Sequence, residues 1–221
     1  MRILAVSDQV INILYSPHVA THVGDVDVLL ACGDLPYSYM EHLVSSLNAK
    51  HAFYVHGNHD VSEKLANGTI LTAPGGWQNI DRCVEWVEDK NLLIAGLEGC
   101  VRYRPGAPYQ YKQNTMRKRA LALIPHLLFN RVRYGRYLDI FIAHAPAWGI
   151  HEGEDNAHKG FKVFLDIIQR FKPKLFLHGH LHRYGLGPWH THYQQTEIVN
   201  VHPFRIIKLE EGKVRYGKLG G

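Results

Sequence analysis

Short apolar runs rich in valine, isoleucine and leucine recur along this chain and alternate with segments of helical pattern. Short runs of this kind, bounded by polar residues or glycine, are typical of buried β-strands. Five of them predict strands, at residues 3–6, 26–31, 52–55, 140–143 and 175–177. These strands should lie in the core of the molecule.

Helical periodicity appears between the strands. Two segments place apolar residues at i, i+3, i+4 and i+7, which is the spacing of one helix face. They are residues 40–47 and 161–168, and the second helix must end before Pro173. Residues 117–134 are also helical in pattern, with a break or restart at Pro125. Helices therefore connect several of the predicted strands.

Two other segments have the pattern of hairpins. Residues 83–97 predict two strands around a tight polar turn, and residues 197–219 predict two or three more, with Glu211-Gly212 as one turn. Hairpins joined to helix-connected strands indicate an α/β fold, with one mixed sheet or two mixed β-sheets packed as a sandwich flanked by helices. The 221 residues contain no repeat or linker, so residues 1–221 are predicted to form a single domain.

Composition narrows the class of protein only slightly. The chain is 46% hydrophobic and 20% charged, which is ordinary for a soluble globular protein. The apolar run near the N-terminus is too short for a signal peptide or a membrane span, so we expect no membrane association. The three cysteines form no CxxC pair, so we expect reduced thiols and a cytoplasmic location. The net charge of +5 suits an anionic substrate, a nucleic acid or simply a basic surface.

Polar side chains follow the predicted strands at the point where each strand ends. The residues in these positions can all bind metal or move protons, and they are Asp8, Asp34, Asn58, His59, Asp60, His144, His180 and His182. Ligands bind at the carboxyl edge of α/β sheets, and Gly33, Gly57 and Gly179 stand where the chain must turn. Taken alone, each residue could be a helix cap or a loop residue. Together, carboxylate, amide and imidazole groups predict a site for Mn²⁺, iron or Zn²⁺.

The order of these motifs resembles the calcineurin-like metallophosphoesterase superfamily, whose pattern is D-x-H, G-D, G-N-H-[DE], a lone H and G-H-x-H. The matching segments here are Asp8, Gly33-Asp34, residues 57–60, His144 and residues 179–182. The resemblance implies an α/β/β/α sandwich and a site for two metal ions. These ions would be Mn²⁺ and/or iron, with Zn²⁺ as an alternative.

The resemblance also assigns roles to individual residues. Asp34 would bridge both metals, and His59 would donate a proton to the leaving oxygen while Asp60 orients it. The remaining ligands are divided between a first site, with Asp8 and His182, and a second site, with Asn58, His144 and His180. The implied reaction is hydrolysis of a phosphate mono- or diester, small or nucleotide-like, by attack of a metal-bound hydroxide.

The first motif departs from the family pattern because Val10 stands where the pattern has histidine. A first site without this imidazole could be weak or empty, unless an amide oxygen of Gln9 or Asn12 replaces it. In the extreme the chain would be a non-catalytic relative that binds metal or nucleotide. His178, which precedes the turn at Gly179, is interpreted as a buried, hydrogen-bonded histidine.

Two further stretches suggest substrate contacts. The loop at residues 144–160 carries His151, Asp155 and His158, which could line a substrate pocket or support the metals, although Asp155 could also cap the following helix. The stretch at residues 102–136 combines many basic residues with tyrosines. It could bind a nucleic-acid strand, as in a nuclease, or be the solvated face of a helix.

Overall fold

Two six-stranded sheets packed face to face form the centre of the molecule. The computed structural model describes residues 1–182, 188–210 and 213–219. Within these residues, five helices cover the outer faces of the two sheets. The predicted sandwich of two mixed sheets flanked by helices is therefore confirmed.

The helices and strands have the following bounds. In chain order the strands are β1 (Arg2–Val6), β2 (Val28–Ala31), β3 (His51–Tyr54), β4 (Glu63–Lys64), β5 (Ile70–Leu71), β6 (Gln78–Asn79), β7 (Val84–Val87), β8 (Leu92–Leu97), β9 (Cys100–Val101), β10 (Gln110–Tyr111), β11 (Ile140–Ala143), β12 (Leu175–His178), β13 (His190–Tyr193), β14 (Thr196–Asn200), β15 (Phe204–Glu210) and β16 (Lys213–Gly217). The helices are α1 (Val19–Val23), α2 (Tyr37–Ser46), α3 (Gln113–Leu121), α4 (Ile124–Tyr134) and α5 (Lys162–Phe171).

Both sheets have a parallel centre, with antiparallel strands at both edges of the second sheet and at one edge of the first, where β6 at the other edge is parallel to β3. The first sheet has the order β16-β15-β1-β2-β3-β6, in which β1, β2 and β3 are parallel and β15 runs antiparallel to β1. The second sheet has the order β13-β14-β12-β11-β8-β7, with β8, β11, β12 and β14 parallel. The parallel arrangement brings the carboxyl ends of several strands to a common edge of each sheet.

Apolar side chains fill three layers. Alternate residues of one strand serve different layers, so that in β2 Leu30 packs between the sheets and Leu29 packs under the helices of the first sheet. In the second sheet, Ile142 faces the layer between the sheets and Phe141 faces α3, α4 and α5. Strands covered on both faces explain the continuous apolar runs in the sequence.

Most of the predicted elements are confirmed, with shifted ends. The hairpin at residues 83–97 is β7 and β8, and the helical segment at 117–134 is two helices separated just ahead of Pro125. Strand β2 begins later than predicted because the carboxylate of Asp27 accepts the backbone N–H of Arg2 at 2.7 Å. The predicted turn at Glu211-Gly212 lies outside the described residues.

Strand β13 was not predicted. Its four residues, HTHY, contain no apolar run, and it forms only by antiparallel pairing with β14. In the described part of the chain, none of the helices combines the length and the apolar character that crossing a bilayer requires.

Candidate metal centre

The predicted ligands leave their strands through backbone in the left-handed region. Asp8, Asp34 and His180 have φ values of 65°, 58° and 69°, and each lies in the turn directly after β1, β2 or β12. Residues other than glycine seldom adopt this conformation, and aspartate is among the few that tolerate it. The turns that aim these side chains into the site are therefore made by the predicted ligands themselves.

The three glycines of the motifs act in two ways. Gly33 has a φ of 89° and turns the chain as predicted. Gly57 and Gly179 are not in the left-handed region and are instead required for close approach. A Cβ atom on Gly57 would lie 2.0 Å from Oδ1 of Asp34, and one on Gly179 would lie 2.4 Å from Oδ2 of Asp8. At these two positions the structure therefore gives close approach as the reason for glycine.

Four predicted ligands converge at the second site. Nε2 of His144 lies 3.0 Å from Nδ1 of His180, 3.0 Å from Oδ1 of Asn58 and 3.3 Å from Oδ2 of Asp34. The ligand atoms of Asp34, His144 and His180 all lie within 4.8 Å of one another. Imidazole, amide and carboxylate groups thus face a common point.

Backbone carbonyls fix which nitrogen of each imidazole faces this point. Nδ1–H of His144 donates to the carbonyl of Cys32 at 2.7 Å, and Nε2–H of His180 donates to the carbonyl of Ala157 at 2.8 Å. The two remaining nitrogens, Nε2 of His144 and Nδ1 of His180, then face each other with lone pairs. When both are deprotonated, these two nitrogens, 3.0 Å apart, direct lone pairs toward one point, so these residues fit a metal ion.

The pKa values of Asp34, His144 and His180 agree with a site for a metal cation. Burial alone would lower the pKa of His144, but the carboxylate of Asp34 overcomes it and raises that pKa to about 9. Burial lowers the pKa of His180 to about 4, and the charge of His144 acts in the same direction. Burial opposes ionisation of Asp34, but the neighbouring His144 holds the pKa of that carboxyl at about 2. The protein alone therefore keeps one proton at the point where a metal cation would bind.

The two residues predicted for the first site, Asp8 and His182, lie beside each other. Both carboxylate oxygens of Asp8 accept the backbone N–H of His180 at 3.0 Å, and Oδ1 lies 3.6 Å from Nε2 of His182. Burial opposes ionisation of Asp8, but its bond with His182 and the charge of His144 lower its pKa. Asp8 is thus held as a carboxylate directed at the site.

A further imidazole, not predicted from the sequence, lies beside the first site. The ring of His202 stacks on that of His182, with centroids 4.7 Å apart and planes 12° apart, and His202 is buried. It follows β14, and it reaches this place because β15 pairs with β1, with Phe204 opposite Val6. His202 could have been identified from the sequence because it is a histidine that directly follows an apolar strand.

Neither Val10, which stands in place of the histidine, nor the two residues considered as its substitutes lies at the cavity. Val10 packs against the apolar cluster around Leu14 on the outer face of the first sheet. The side chains of Gln9 and Asn12 are exposed and do not line the cavity of the site. The prediction that an amide oxygen of either residue completes the first site is therefore not supported by their positions.

His59 and Asp60 lie in one turn but have different surroundings. His59 is exposed at the cavity, and its backbone N–H donates to Oδ1 of Asp34 at 2.7 Å. Asp60 is buried and accepts backbone N–H groups of Gly57, Asp34 and Leu35 at 2.7 to 3.1 Å. In the described residues its carboxylate thus holds the backbone of the turn that carries His59, and any orienting effect on His59 acts through that backbone.

A cavity of about 720 Å³ opens over both sites. Its walls combine most of the predicted ligands with the loop after β11, and they comprise Asp8, Asp34, Asn58, His59, Tyr103, Gly153, Ala157, His158, His180, Leu181 and His182. His158 is in the wall as predicted. Asp155 is not, and it caps the short 3-10 turn Asn156–His158 by accepting backbone N–H groups of Ala157 and His158. Asp155 is thus a capping residue, although it caps this short turn and not the predicted helix at residues 161–168.

His151 and His178 form a buried pair outside the cavity. Nδ1 of His151 lies 3.0 Å from Nε2 of His178, Nε2 of His151 lies 2.8 Å from the hydroxyl of Thr191, and Nδ1 of His178 donates to the carbonyl of Gly179. The interpretation of His178 as a buried, hydrogen-bonded histidine is confirmed. His151 was placed in a substrate pocket from the sequence, but the left-handed turn at φ 58° directs it into the interior.

We expect His178→Ala to reduce stability rather than chemistry. The substitution leaves Nδ1–H of His151 buried without its acceptor, which costs about 1–3 kcal/mol of the free energy of unfolding. Urea unfolding monitored by circular dichroism measures the loss, with metal content determined on the folded protein. Replacement of the exposed His18 by alanine is the control. A variant of normal stability that no longer binds metal would show that His178 belongs to the metal centre.

Tyr103 holds the amide of Asn58 in one orientation, and the sequence did not reveal this. Nδ2 of Asn58 donates to the hydroxyl of Tyr103 at 3.2 Å, which turns Oδ1 toward His144. The orientation matters because only the oxygen of an amide binds a metal cation.

We expect Tyr103→Phe to weaken metal affinity by about tenfold, the low end of the effect of residues that orient ligands. The phenyl ring keeps the shape of the wall but no longer accepts the amide N–H. Isothermal titration with Mn²⁺ measures the change, and Tyr193→Phe on β13 is the matched control. Unchanged affinity would mean that His144 and the backbone are sufficient to orient Asn58.

Part of the basic stretch is internal to the fold. Arg119 makes ion pairs of 2.6 Å with Asp81 and Glu98, and its guanidinium lies 4.2 Å from the centre of the Tyr111 ring. Arg136 binds the buried carboxylate of Asp139. These arginines stabilise the fold and are not available to a nucleic-acid strand.

Comparison with known proteins identifies the family. The family model for calcineurin-like phosphoesterases matches residues 1–184. No curated protein matches the chain. One solved crystal structure is similar at a TM-score of 0.65, with 14% identity over 99% of each chain. The structure of TT1561 of Thermus thermophilus is similar at 0.61, with 17% identity over 98% of each chain.

A third structure, the phosphopantetheinyl hydrolase PptH from Mycobacterium tuberculosis, is 15% identical over 90% of this chain and 88% of that chain, at a TM-score of 0.48. At these identities the first two structures show the fold alone. The matched residues 1–184 span more than half of the chain and include every predicted ligand, and the chain therefore belongs to the calcineurin-like phosphoesterase family.

Proposed function

We propose that this protein is a metal-dependent hydrolase of phosphate mono- or diesters. The observation that carries the proposal is the second site, where Asp34, Asn58, His144 and His180 face one point and both imidazoles have their other nitrogen bound to a carbonyl. With the facing nitrogens deprotonated, all four side chains could bind one metal ion. The metals we propose are Mn²⁺ and/or iron, with Zn²⁺ as an alternative, because nitrogen and oxygen ligands are mixed.

Different residues of the site would have different roles in hydrolysis. Metal ions held here would neutralise the phosphate, lower the pKa of a water molecule and balance the charge of an in-line displacement. Asp34 would bind both ions, and its second oxygen is already fixed by the N–H of His59. As the ester P–O bond breaks, the imidazole of His59 would donate a proton to the leaving oxygen. Asp60 would hold the turn that presents His59 to the cavity.

The first site would be the weaker of the two. Asp8 and His182 remain as ligands with Asp34, and the imidazole expected at position 10 is absent. A non-catalytic relative that binds metal or nucleotide is the second candidate, and Val10 is the observation that favours it. The two candidates differ in turnover and not in metal binding at the second site.

The substrate we propose is a small-molecule or nucleotide phosphate ester. The cavity of about 720 Å³ would accommodate a group of that size, with His158 and Tyr103 on its walls. A nuclease that binds through the basic stretch is less well supported, because Arg119 and Arg136 are bound to buried carboxylates.

Hydrolysis of bis-p-nitrophenyl phosphate and p-nitrophenyl phosphate tests the proposal. The protein is stripped with a chelator and then assayed with Mn²⁺, Fe²⁺, Zn²⁺ or Mg²⁺ singly, while metal content is measured on the same samples. Turnover that depends on added metal and disappears in Asp34→Asn supports the hydrolase. Stoichiometric metal binding without turnover of any ester in a broad panel would favour the non-catalytic relative.

A further inference from the structure

Helix α4 is apolar on the side that faces solvent as well as on the side that faces the core. Leu127 and Asn130 are buried, whereas Leu128, Phe129 and Val132 are 48%, 62% and 88% exposed. At 100° per residue the three exposed side chains lie within one arc of about 100°, directly opposite the two buried ones. The arc therefore projects away from the protein.

Leu121 is a further exposed apolar residue on the preceding helix. It is the last residue of α3, three residues before the start of α4, and it is 56% exposed. We call the surface formed by Leu121, Leu128, Phe129 and Val132 the α3–α4 face. Single exposed apolar residues need no explanation, but a group of large ones on adjacent helices marks a surface that binds something.

The α3–α4 face is bordered by positive charge. The segment at residues 112–136 contains no aspartate or glutamate and has seven basic residues, which are Lys112, Arg117, Lys118, Arg119, Arg131, Arg133 and Arg136. Two of these, Arg119 and Arg136, are neutralised by Asp81, Glu98 and Asp139. The others are exposed.

Two of the exposed arginines border the apolar arc directly. Arg131 and Arg133 flank Val132 in sequence, so on a helix they stand on opposite sides of it. Their long apolar stems can lie along a non-polar surface while the guanidinium groups stay in a polar layer.

We propose that the α3–α4 face docks on an anionic lipid surface. Leu128, Phe129 and Val132 would enter the boundary between headgroups and acyl chains, and Arg131 and Arg133 would bind lipid phosphates. An apolar helix face with a basic border is the pattern of helices that lie in this boundary. A second copy of the chain fits less well, because it would bring the same positive border against itself and the whole chain already carries +5.

Sedimentation with lipid vesicles tests this proposal. The full-length protein is mixed with phosphatidylcholine vesicles that contain or lack phosphatidylglycerol. We expect binding to the anionic vesicles, weak binding to the neutral ones, and loss of binding as salt is raised from about 0.05 to about 0.5 M.

Two double variants separate the apolar and the charged contributions. Phe129→Gln with Val132→Gln should weaken partition onto anionic vesicles by at least about tenfold. Arg131→Gln with Arg133→Gln should weaken it by about thirtyfold at low salt, since each basic residue near such a surface contributes about 1 kcal/mol. The matched controls are Ile70→Gln, whose side chain is 61% exposed on β5, and Arg215→Gln on β16.

Several results would overturn the proposal. Equal binding to neutral and anionic vesicles would show that lipid charge is not recognised. An equal loss of vesicle binding in the control variants would show that binding does not depend on the α3–α4 face. Failure to bind vesicles would also contradict it. If the protein then proves to be a dimer that the Phe129/Val132 double variant dissociates, the occupant is a second copy. If it is a monomer, a second copy is excluded as well. All substituted side chains are exposed, so circular dichroism and thermal melting should confirm that each variant is folded.

Discussion

Asp34→Asn is expected to abolish ester hydrolysis and to remove bound metal together with it. Oδ2 of Asp34 lies 3.3 Å from Nε2 of His144, and Oδ1 accepts the N–H of His59. The substitution removes a negative charge that both ions would share. Loss of several kcal/mol of charge stabilisation corresponds to about a thousandfold or greater decrease in kcat/KM. Metal analysis and turnover on the same preparation measure both effects.

Asparagine is the appropriate replacement because the backbone at this position has a φ of 58°. Asparagine tolerates this conformation, whereas alanine would add strain to the loss of charge. Asp25→Asn, at an exposed position near α1, controls for the change in net charge. If Asp34→Asn retained two tightly bound ions, a bridging role for Asp34 would be excluded.

His59→Ala is expected to lower kcat by about 10²–10⁴ on esters with a poor leaving group while metal content stays near that of the parent. The backbone N–H of residue 59, which binds Asp34, is retained in alanine. The imidazole is exposed at the cavity and lies outside the group of converging ligand atoms. The loss should therefore come from proton donation to the leaving oxygen.

The choice of substrate provides the internal control for this variant. A nitrophenolate leaving group needs little protonation, so hydrolysis of nitrophenyl esters should fall much less than hydrolysis of alkyl esters. His18→Ala controls for removal of an exposed histidine. An equal decrease on both substrate classes would contradict the general acid and would point to a role of His59 in binding.

The convergence of residues that follow apolar strands could be predicted from the sequence. Asp8, Asp34, His144 and His180 could each be chosen as candidate ligands from a local pattern, because parallel strands bring the residues after their carboxyl ends to a common edge of each sheet. The alternation of apolar strands and helices likewise predicted the sandwich. Each of these features depends on a short segment of the chain, and the structure contains the segment as the sequence pattern predicts it.

Features that depend on pairing of distant segments were not predicted. Two of the groups that orient the imidazoles are backbone carbonyls, of Cys32 and Ala157, and no side-chain motif reports a carbonyl. His202 reaches the first site only because β15 returns beside β1. The burial of His151 similarly depends on Thr191, forty residues away on a strand without an apolar run.

The exposed face of α4 shows a different limit. Its apolar residues recur around the whole helix, and the sequence alone does not say which of them are covered. Only the burial of Leu127 and Asn130 identifies Leu128, Phe129 and Val132 as the outward group. The sequence indicates that the basic stretch could bind nucleic acid. The exposed apolar residues of α4 within that stretch are identified only in the structure.

The second site draws its ligands from both sheets. Asp34 and Asn58 follow strands of the first sheet, and His144 and His180 follow strands of the second. A bound ion would therefore cross-link two sheets, which also contact each other through apolar side chains such as Leu30 and Ile142 and through hydrogen bonds such as that of His144 to Cys32. Since an ion that binds the folded state alone stabilises it, metal should raise the melting temperature of the sandwich. Conversely, truncation of Ile142 would let the layers shift and would weaken metal affinity without altering a single ligand.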